Sequence, residues 1–294
     1  MLLTHIAFHG TAARTPAFSS QSVGGVRPLG RLPPKSFEPP EPLHPFAAHV
    51  LTRAGIEPTA YRAKPLHRRL SACLRQSGAP SLPVAQQLLE RSPKLLHSAL
   101  DTLLIGVSAF FRDAPVFQAL RSNFLPELLR RQPSLNVFSA GSSGGHELYS
   151  MAMLLDELSA LENSTFLGVD CRAQAIAQAQ SGRFESAEVA GLSAAQQEKY
   201  FTCRGGLAVV RESLRSRLEW RCLDLLSFAG GSGAKDVILF RNVAIYLEPT
   251  AAAQAYERFT AQLSPGGLLV TGKAESPPKS LPLTRVAPSI FRKL

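Results

Sequence analysis

After Pro133 the chain alternates short apolar runs with amphipathic stretches, and this alternation restricts the fold more than any other feature. LNVFSA, TFLGVD, LEWRCL, DVILFRNV and GLLVTGKA have strand length and are rich in β-branched or aromatic residues. HELYSMAMLLDELSAL, RAQAIAQAQSG and TAAAQAYERFTAQL lie between them with helical spacing. Parallel strands need crossover connections, so the pattern predicts an α/β fold with a largely parallel sheet covered on both faces. Residues 184–217 interrupt it with a short helix, LSAAQQEKYF, a Gly205-Gly206 turn and the strand-like LAVV. They read as a small inserted β-subdomain.

Upstream the texture is helical. PFAAHVLTRAGIEPTAYRAKPLHRRLSACLRQSG, LPVAQQLLERS, PKLLHSALDTLLIG and APVFQALRSNFLPELLRR carry apolar residues at helical spacing, and Gly78 stops the first of them. Residues 1–42 are rich in Pro, Gly, Ser and Arg, have no acid before Glu38 and show no periodicity. The expected organisation is a tail over 1–42, an N-terminal helical domain over 43–132 and a larger α/β domain over 133–294.

No apolar run approaches the roughly 18 to 20 residues of a membrane-spanning helix. The opening MLLTHIAF lacks the basic start and cleavage-like end of a secretory signal. Cys73, Cys171, Cys203 and Cys222 form no C-x-x-C pair, which argues against a zinc site or a disulfide framework; Cys171 and Cys222 are expected to be buried reduced thiols. The expected compartment is the cytoplasm, without membrane insertion. The formal net charge of +10 points to an acidic partner. Arg62, Lys64, His67, Arg68, Arg69 and Arg75 gather in YRAKPLHRRLSACLR, where Leu66, Leu70 and Leu74 recur every fourth residue. One face there can pack while the other presents positive charge.

In an open parallel sheet, ligands bind beyond the carboxyl ends of the strands. After the first strand comes Gly141-Ser142-Ser143-Gly144-Gly145, where small side chains let a ligand approach the backbone. After the second comes Asp170, whose carboxylate suits a ribose diol but would equally serve as a turn former or helix cap. Glu147 begins the next helix, where the helix dipole favours a carboxylate with or without a cationic ligand. His146 beside it reads as an exposed helix-start residue.

Several segments together resemble one family. SAFFRD at 108–113, SAGSSGGHELYSMAM, GVDCRAQAIAQAQSGRF, KYF at 199–201, SLRSRLEWRCLDLL, VILFRNVAIYLEP and PGGLLVTGKAES are similar in order and spacing to the CheR-type chemoreceptor methyltransferases. The resemblance runs from about Phe46 to the C-terminus. It implies a class I S-adenosylmethionine-dependent methyltransferase fold, Rossmann-like, with an N-terminal helical domain and a small β-subdomain. It also implies methyl transfer to glutamate side chains on the cytoplasmic helices of chemoreceptors, with S-adenosylhomocysteine as product.

Carried over by position, the resemblance sets Ser108 and Arg112 against the cofactor and the reacting carboxylate. Gly141 and Glu147 would hold the methionine portion, Asp170 the ribose, and Asp224 and Leu225 the adenine side. Arg241 and Tyr246 would floor the site under the methyl group, with Asn242 stabilising that strand end. Arg112 and Tyr246 are the expected catalytic residues. Arg62, Lys64, Arg68, Arg69 and Arg75 are the expected receptor-binding set, the β-subdomain is the candidate contact for a receptor tail, and the protein is expected to be a monomer that uses no metal.

The chain departs from the family in places. The family's first loop usually reads G-C-S-T-G-E-E-P-Y-S; this chain has Ser142, Ser143, Gly144, His146 and Leu148 where Cys, Ser, Thr, Glu and Pro would stand. Gly106 replaces a common asparagine, Asp224 another, and GKAESP varies G-H-S-E-S-L. A CheR-like binding or regulatory module without turnover is therefore the alternative. Nucleic-acid methylation, prompted by the charge, lacks its usual Asn/Asp-Pro-Pro-aromatic segment, the corresponding place reading Arg241-Asn242-Val243.

Overall fold

The computed structural model describes residues 41–228 and 233–294, so the expected tail lies, except for its last two residues, outside the described residues. The helices of the N-terminal region are α1 (Pro45–Arg53), α2 (Ala63–His67), α3 (Leu70–Ser77), α4 (Leu82–Arg91) and α5 (Pro93–Leu103). Their boundaries follow local chemistry. Proline opens α1 and α5, where the first amides have no intrahelical acceptor to lose, and the His44 ring and Ser92 hydroxyl cap those two starts. Gly78 ends α3 in the left-handed conformation. Phe46, Val50, Leu51, Leu66, Leu89 and Leu103 share one core cluster, and Leu70 and Leu74 pack partly buried against it.

Next come α6 (Ala114–Ala119) and α7 (Leu125–Leu129), joined by a π-helical turn at Leu120–Phe124. Pro126 accounts for that turn, because it has no amide to donate and its ring crowds the carbonyl four residues back. Val116, Phe117, Leu120, Leu125 and Leu128 join the core under the sheet rather than the core of α1 to α5.

The sheet contains β1 (Asn136–Ala140), β2 (Thr165–Asp170), β6 (Leu218–Cys222), β7 (Lys235–Phe240), β8 (Leu263–Thr271), β9 (Leu283–Ala287) and β10 (Ile290–Lys293). Its order is β6-β2-β1-β7-β8-β10-β9, parallel except where β10 meets β8 and β9. The crossovers are α8 (His146–Glu157), α9 (Ala173–Ser181) and α13 (Pro249–Gln262). Strand residues alternate between two cores: Val237, Leu239, Leu268 and Val270 pack on the side of α8, while Ile238, Phe240 and Leu269 pack with Tyr256 and Phe259 of α13.

The five strands expected between Leu135 and Ala274 are all present; the C-terminal hairpin of β9 and β10 is an addition to the expectation. The 184–217 region holds a second antiparallel sheet, ordered β3-β5-β4, from β3 (Arg183–Glu185), β4 (Phe201–Arg204) and β5 (Leu207–Val210). The short helices α10 (Ser186–Val189), α11 (Ala194–Tyr200) and α12 (Glu212–Arg215) accompany it. Cys222 corrects the cysteine expectation: it is exposed, because β6 is an edge strand of the large sheet. Among the described residues no helix is long and apolar enough to cross a membrane.

Candidate active site

A cavity of about 230 Å³ opens at the carboxyl ends of β1, β2 and β7. One wall comes from the loops that follow those strands: Gly141, Ser142 and Ser143, then Asp170, Cys171 and Arg172, then Arg241, Asn242 and Val243. The facing wall comes from the helical region and contains Tyr61, Arg69 and the 104–109 loop that leads into Arg112.

At one end Arg241 is a buried hub. Its Nη1 donates to Glu147 Oε2 at 3.0 Å, and its Nη2 donates to Asp113 Oδ2 at 2.9 Å and to the Arg112 carbonyl at 2.8 Å. Its guanidinium lies over the Phe117 ring. Ser139 Oγ donates to the other oxygen of Glu147 at 2.9 Å, and Lys273 Nζ pairs with Asp113 at 2.7 Å. Burial acts to raise the Asp113 carboxyl, but the Lys273 hydrogen bond and the nearby Arg241, Lys273 and Arg112 charges outweigh it and hold it below its ordinary value. The network fixes the backbone at Arg112 and Asp113, and the Arg112 side chain itself is exposed toward the cavity and donates to the Val107 carbonyl at 2.5 Å.

At the other end Asp170 Oδ2 accepts from the Ser143 amide at 2.8 Å, and Oδ1 accepts from Arg172 Nε at 3.1 Å. Leu225 and Leu226 supply apolar wall. Tyr61 faces them; burial, with the nearby acidic groups of Cys171, Asp224 and Asp170, raises its phenol well above the ordinary value.

The third loop is held from behind. Glu275 is buried and accepts from the amides of Asn242 at 2.7 Å, Gly272 at 2.8 Å and Ile245 at 3.2 Å. This clasp keeps Asn242 at φ 61°. Phe111, Asp113 and Ser143 also have positive φ, so four of the non-glycine residues held in this costly conformation lie in the cavity wall or flank Arg112. Gly141, at φ 83°, is required on two counts: a Cβ there would sit 2.4 Å from Val243 Cγ2.

Of the site residues expected from the sequence, Ser108, Arg112, Gly141, Glu147, Asp170, Leu225, Arg241, Asn242 and Tyr246 all line this one cavity. Asp224 does not; its Oδ1 accepts from the Leu226 amide at 3.3 Å and shapes the turn that presents the two leucines. Arg241 is committed to the carboxylates beside it. Of the expected receptor-binding set, Arg62, Lys64, Arg68 and Arg75 are exposed, whereas Arg69 is half-buried and lines the cavity.

His146 is a correction. It is buried, packed in tilted and edge-on contact with Phe110 and Phe184, with Nε2 2.8 Å from Glu188 Oε1. The helix start is covered because Phe110 of the SAFFRD segment and the β-subdomain close over it. Burial lowers the imidazole below its ordinary value, although the Glu188 contact pulls the other way. Tyr61, Asp113, Arg172 and Glu275 were missed from sequence. Asp113 ends SAFFRD, Arg172 lies within GVDCRAQAIAQAQSGRF and Glu275 within GKAES, so three of the four stand inside segments that carry the resemblance.

The wall suits S-adenosylmethionine. It places the Asp170 carboxylate at the second strand end, the position of a diol, with apolar surface beside it, and at the far end the Glu147 carboxylate for an ammonium and the exposed Arg112 guanidinium for a carboxylate. The buried Ser142 Oγ has no hydrogen-bond partner among the described residues and leaves a polar group next to the glycine loop.

A doubly wound sheet with an antiparallel final pair and such a cavity at its strand ends defines a class I S-adenosylmethionine-dependent methyltransferase. Residues 106–288 match the CheR methyltransferase, SAM binding domain. The chain is 30% identical over 220 residues to chemotaxis protein methyltransferase Cher2 of Pseudomonas putida, covering 71% of this chain and 80% of that protein. It is 28% identical over 231 residues to the chemotaxis protein methyltransferase of Listeria monocytogenes, covering 78% and 88%. The chain belongs to the CheR methyltransferase family.

Proposed function

We propose that this methyltransferase esterifies glutamate side chains on the cytoplasmic helices of methyl-accepting chemoreceptors, acting in the cytoplasm as a monomer. The observation that carries the reading is the convergence of Arg112, Tyr246, Glu147 and Asp170 on one cavity, from segments more than 130 residues apart at their extremes. The names of the relatives place those proteins in chemotaxis.

When bound, S-adenosylmethionine supplies a sulfonium-activated methyl group, which passes to the acceptor carboxylate and leaves S-adenosylhomocysteine. Glutamate is already ionised near neutral pH, so the chain needs no general base. Its residues bind and orient. Asp170 receives the ribose hydroxyls, Leu225 and Leu226 cover the adenine, and Gly141 and Glu147 hold the methionine portion beside Ser108. Arg112 orients the acceptor through paired hydrogen bonds, and Tyr246 walls the path between the two groups. Arg241 supports both by fixing Glu147 and Asp113.

The helical region, about 43–132, presents Arg62, Lys64, Arg68 and Arg75 to an acidic receptor helix, with Arg69 reaching from that face into the cavity. In the β-subdomain the exposed Thr202, Cys203 and Arg204 of edge strand β4 offer a receptor tail a strand to pair with.

The test is release of base-labile methyl groups from receptor fragments incubated with labelled S-adenosylmethionine. Ester formation by the parent chain, lowered about 100-fold in Arg112→Ala and strongly reduced in Asp170→Ala, is expected. Activity in both variants equal to that of the parent chain would overturn the site assignment, and binding without ester formation on any fragment would favour the regulatory-module reading.

A further inference from the structure

The Asp170 carboxylate has no free acceptor in this structure. Oδ1 accepts from the Arg172 amide at 3.0 Å and from Arg172 Nε at 3.1 Å. Oδ2 accepts from the Ser143 amide at 2.8 Å and, at 3.4 Å, from Arg172 Nη2. A carboxylate offers about four lone-pair sites, so a ribose diol finds no acceptor while the guanidinium stays. Arg172 is buried in the cavity wall, and its Nη2 also donates to Ser143 Oγ at 3.0 Å.

A second carboxylate lies nearby. Asp101 belongs to α5, which packs against α9, the helix that begins immediately after Arg172. Its Oδ2 is buried with no hydrogen-bond partner among the described residues. Burial raises the Asp101 carboxyl, and the Arg172 charge opposes that rise. Room for the guanidinium depends on Gly106, where a Cβ would meet Arg172 Nη2 and Ser143 Oγ, each at 3.2 Å.

We propose that Arg172 is an internal competitor for the cofactor's ribose, occupying Asp170 in the free protein and moving to Asp101 when the diol takes its place. The proposal rests on the reading of Asp170 as the ribose-binding acid. The guanidinium keeps a carboxylate partner in both states, so the exchange avoids stranding a buried charge. Cofactor affinity is the intrinsic affinity multiplied by the fraction of molecules in which Asp170 is free, and occupancy is signalled to α5, whose C-terminal end leads directly into the 104–109 loop of the cavity wall.

Calorimetric titration of the full chain with S-adenosylhomocysteine tests this. Arg172→Ala and Arg172→Gln are expected to lower the dissociation constant by about 5- to 20-fold, because the competent fraction rises. Asp101→Asn is expected to raise it by roughly 3- to 10-fold, an effect that disappears in the Arg172→Ala background because the two residues act as one unit. In the unsubstituted chain, the Arg172 Nε resonance should shift on saturation. Unchanged or weaker binding by both Arg172 variants, with Asp170→Ala still weakening binding, would overturn the proposal alone, as would an unmoved Nε resonance. Undiminished binding by Asp170→Ala would instead remove the ribose reading on which the proposal stands.

Discussion

The two ends of the cavity each join an arginine to an aspartate, but across very different lengths of chain. Arg241 grips Asp113 and Glu147, partners 128 and 94 residues away. Arg172 grips Asp170, two residues away. A long-range pair ties separate elements together and cannot open without moving them, whereas a local pair can part while the strand and helix around it stay in place. The Arg241 end is thereby tied to separate elements, as orientation of two reactants would require, and the Arg172 end has the local pairing that the proposed exchange needs.

The strongest way to break this contrast is Arg241→Ala. Removing it leaves Glu147 and Asp113 without their shared buried partner, and the expected loss is about 3–5 kcal/mol in denaturant unfolding. Arg172→Ala should cost far less in the same measurement; equal losses would erase the distinction. Next is Arg112→Ala, expected to lower kcat/KM for ester formation about 100-fold, an orientation effect. Because the side chain is exposed, the unfolding midpoint should hardly change.

Glu275→Gln sharpens the rigid side further. An amide oxygen replaces a carboxylate that accepts three backbone amides, so a stability loss of about 1–3 kcal/mol is expected, with weakened turnover as Asn242 relaxes from its positive φ.

A smaller effect concerns pH. The folded His146 imidazole lies below the unfolded value of about 6.5, so the unfolded state takes up its proton first as pH falls. The neutral histidine's contribution is complete above the unfolded value. It is lost as pH drops below that value toward the folded one, at no more than about 1.4 kcal/mol per pH unit. His146→Gln should flatten the stability curve in that window, and an unchanged slope would show that another group carries it. The smallest effect is expected at Cys222→Ser, within about 0.5 kcal/mol, because the thiol is exposed on an edge strand.

The large sheet was legible because buried parallel strands announce themselves as apolar runs, and the crossover helices because their apolar faces repeat. The β9–β10 hairpin escaped notice because LTRVA and IFRK are short, mixed in polarity and separated by only Pro288 and Ser289. In the cavity, the residues carried over by position were found together wherever a motif fixed them to a strand end. Asp224 was not, because its carboxylate folds back onto its own turn. His146 was illegible because its environment comes from distant segments, Phe110, Phe184 and Glu188; for Arg172 the partner Asp170 is local, and only Ser143 and Asp101 lie far away in the chain.

The isolated antiparallel bridge between Tyr61 and Leu247 joins the helical region to the loop after β7. The Arg62 amide donates to the Tyr246 carbonyl at 2.9 Å, and the Glu248 amide donates to the Ala60 carbonyl at 2.8 Å. Backbone groups make both bonds, so side chains on either side can diverge without loosening the seam. A chimera that imports another relative's helical region would keep this stitch if the extended Tyr61 segment were preserved. One that shortened or lengthened the chain between Ala60 and Arg62 would slip the register of the Tyr246 loop, however well the foreign helices packed among themselves.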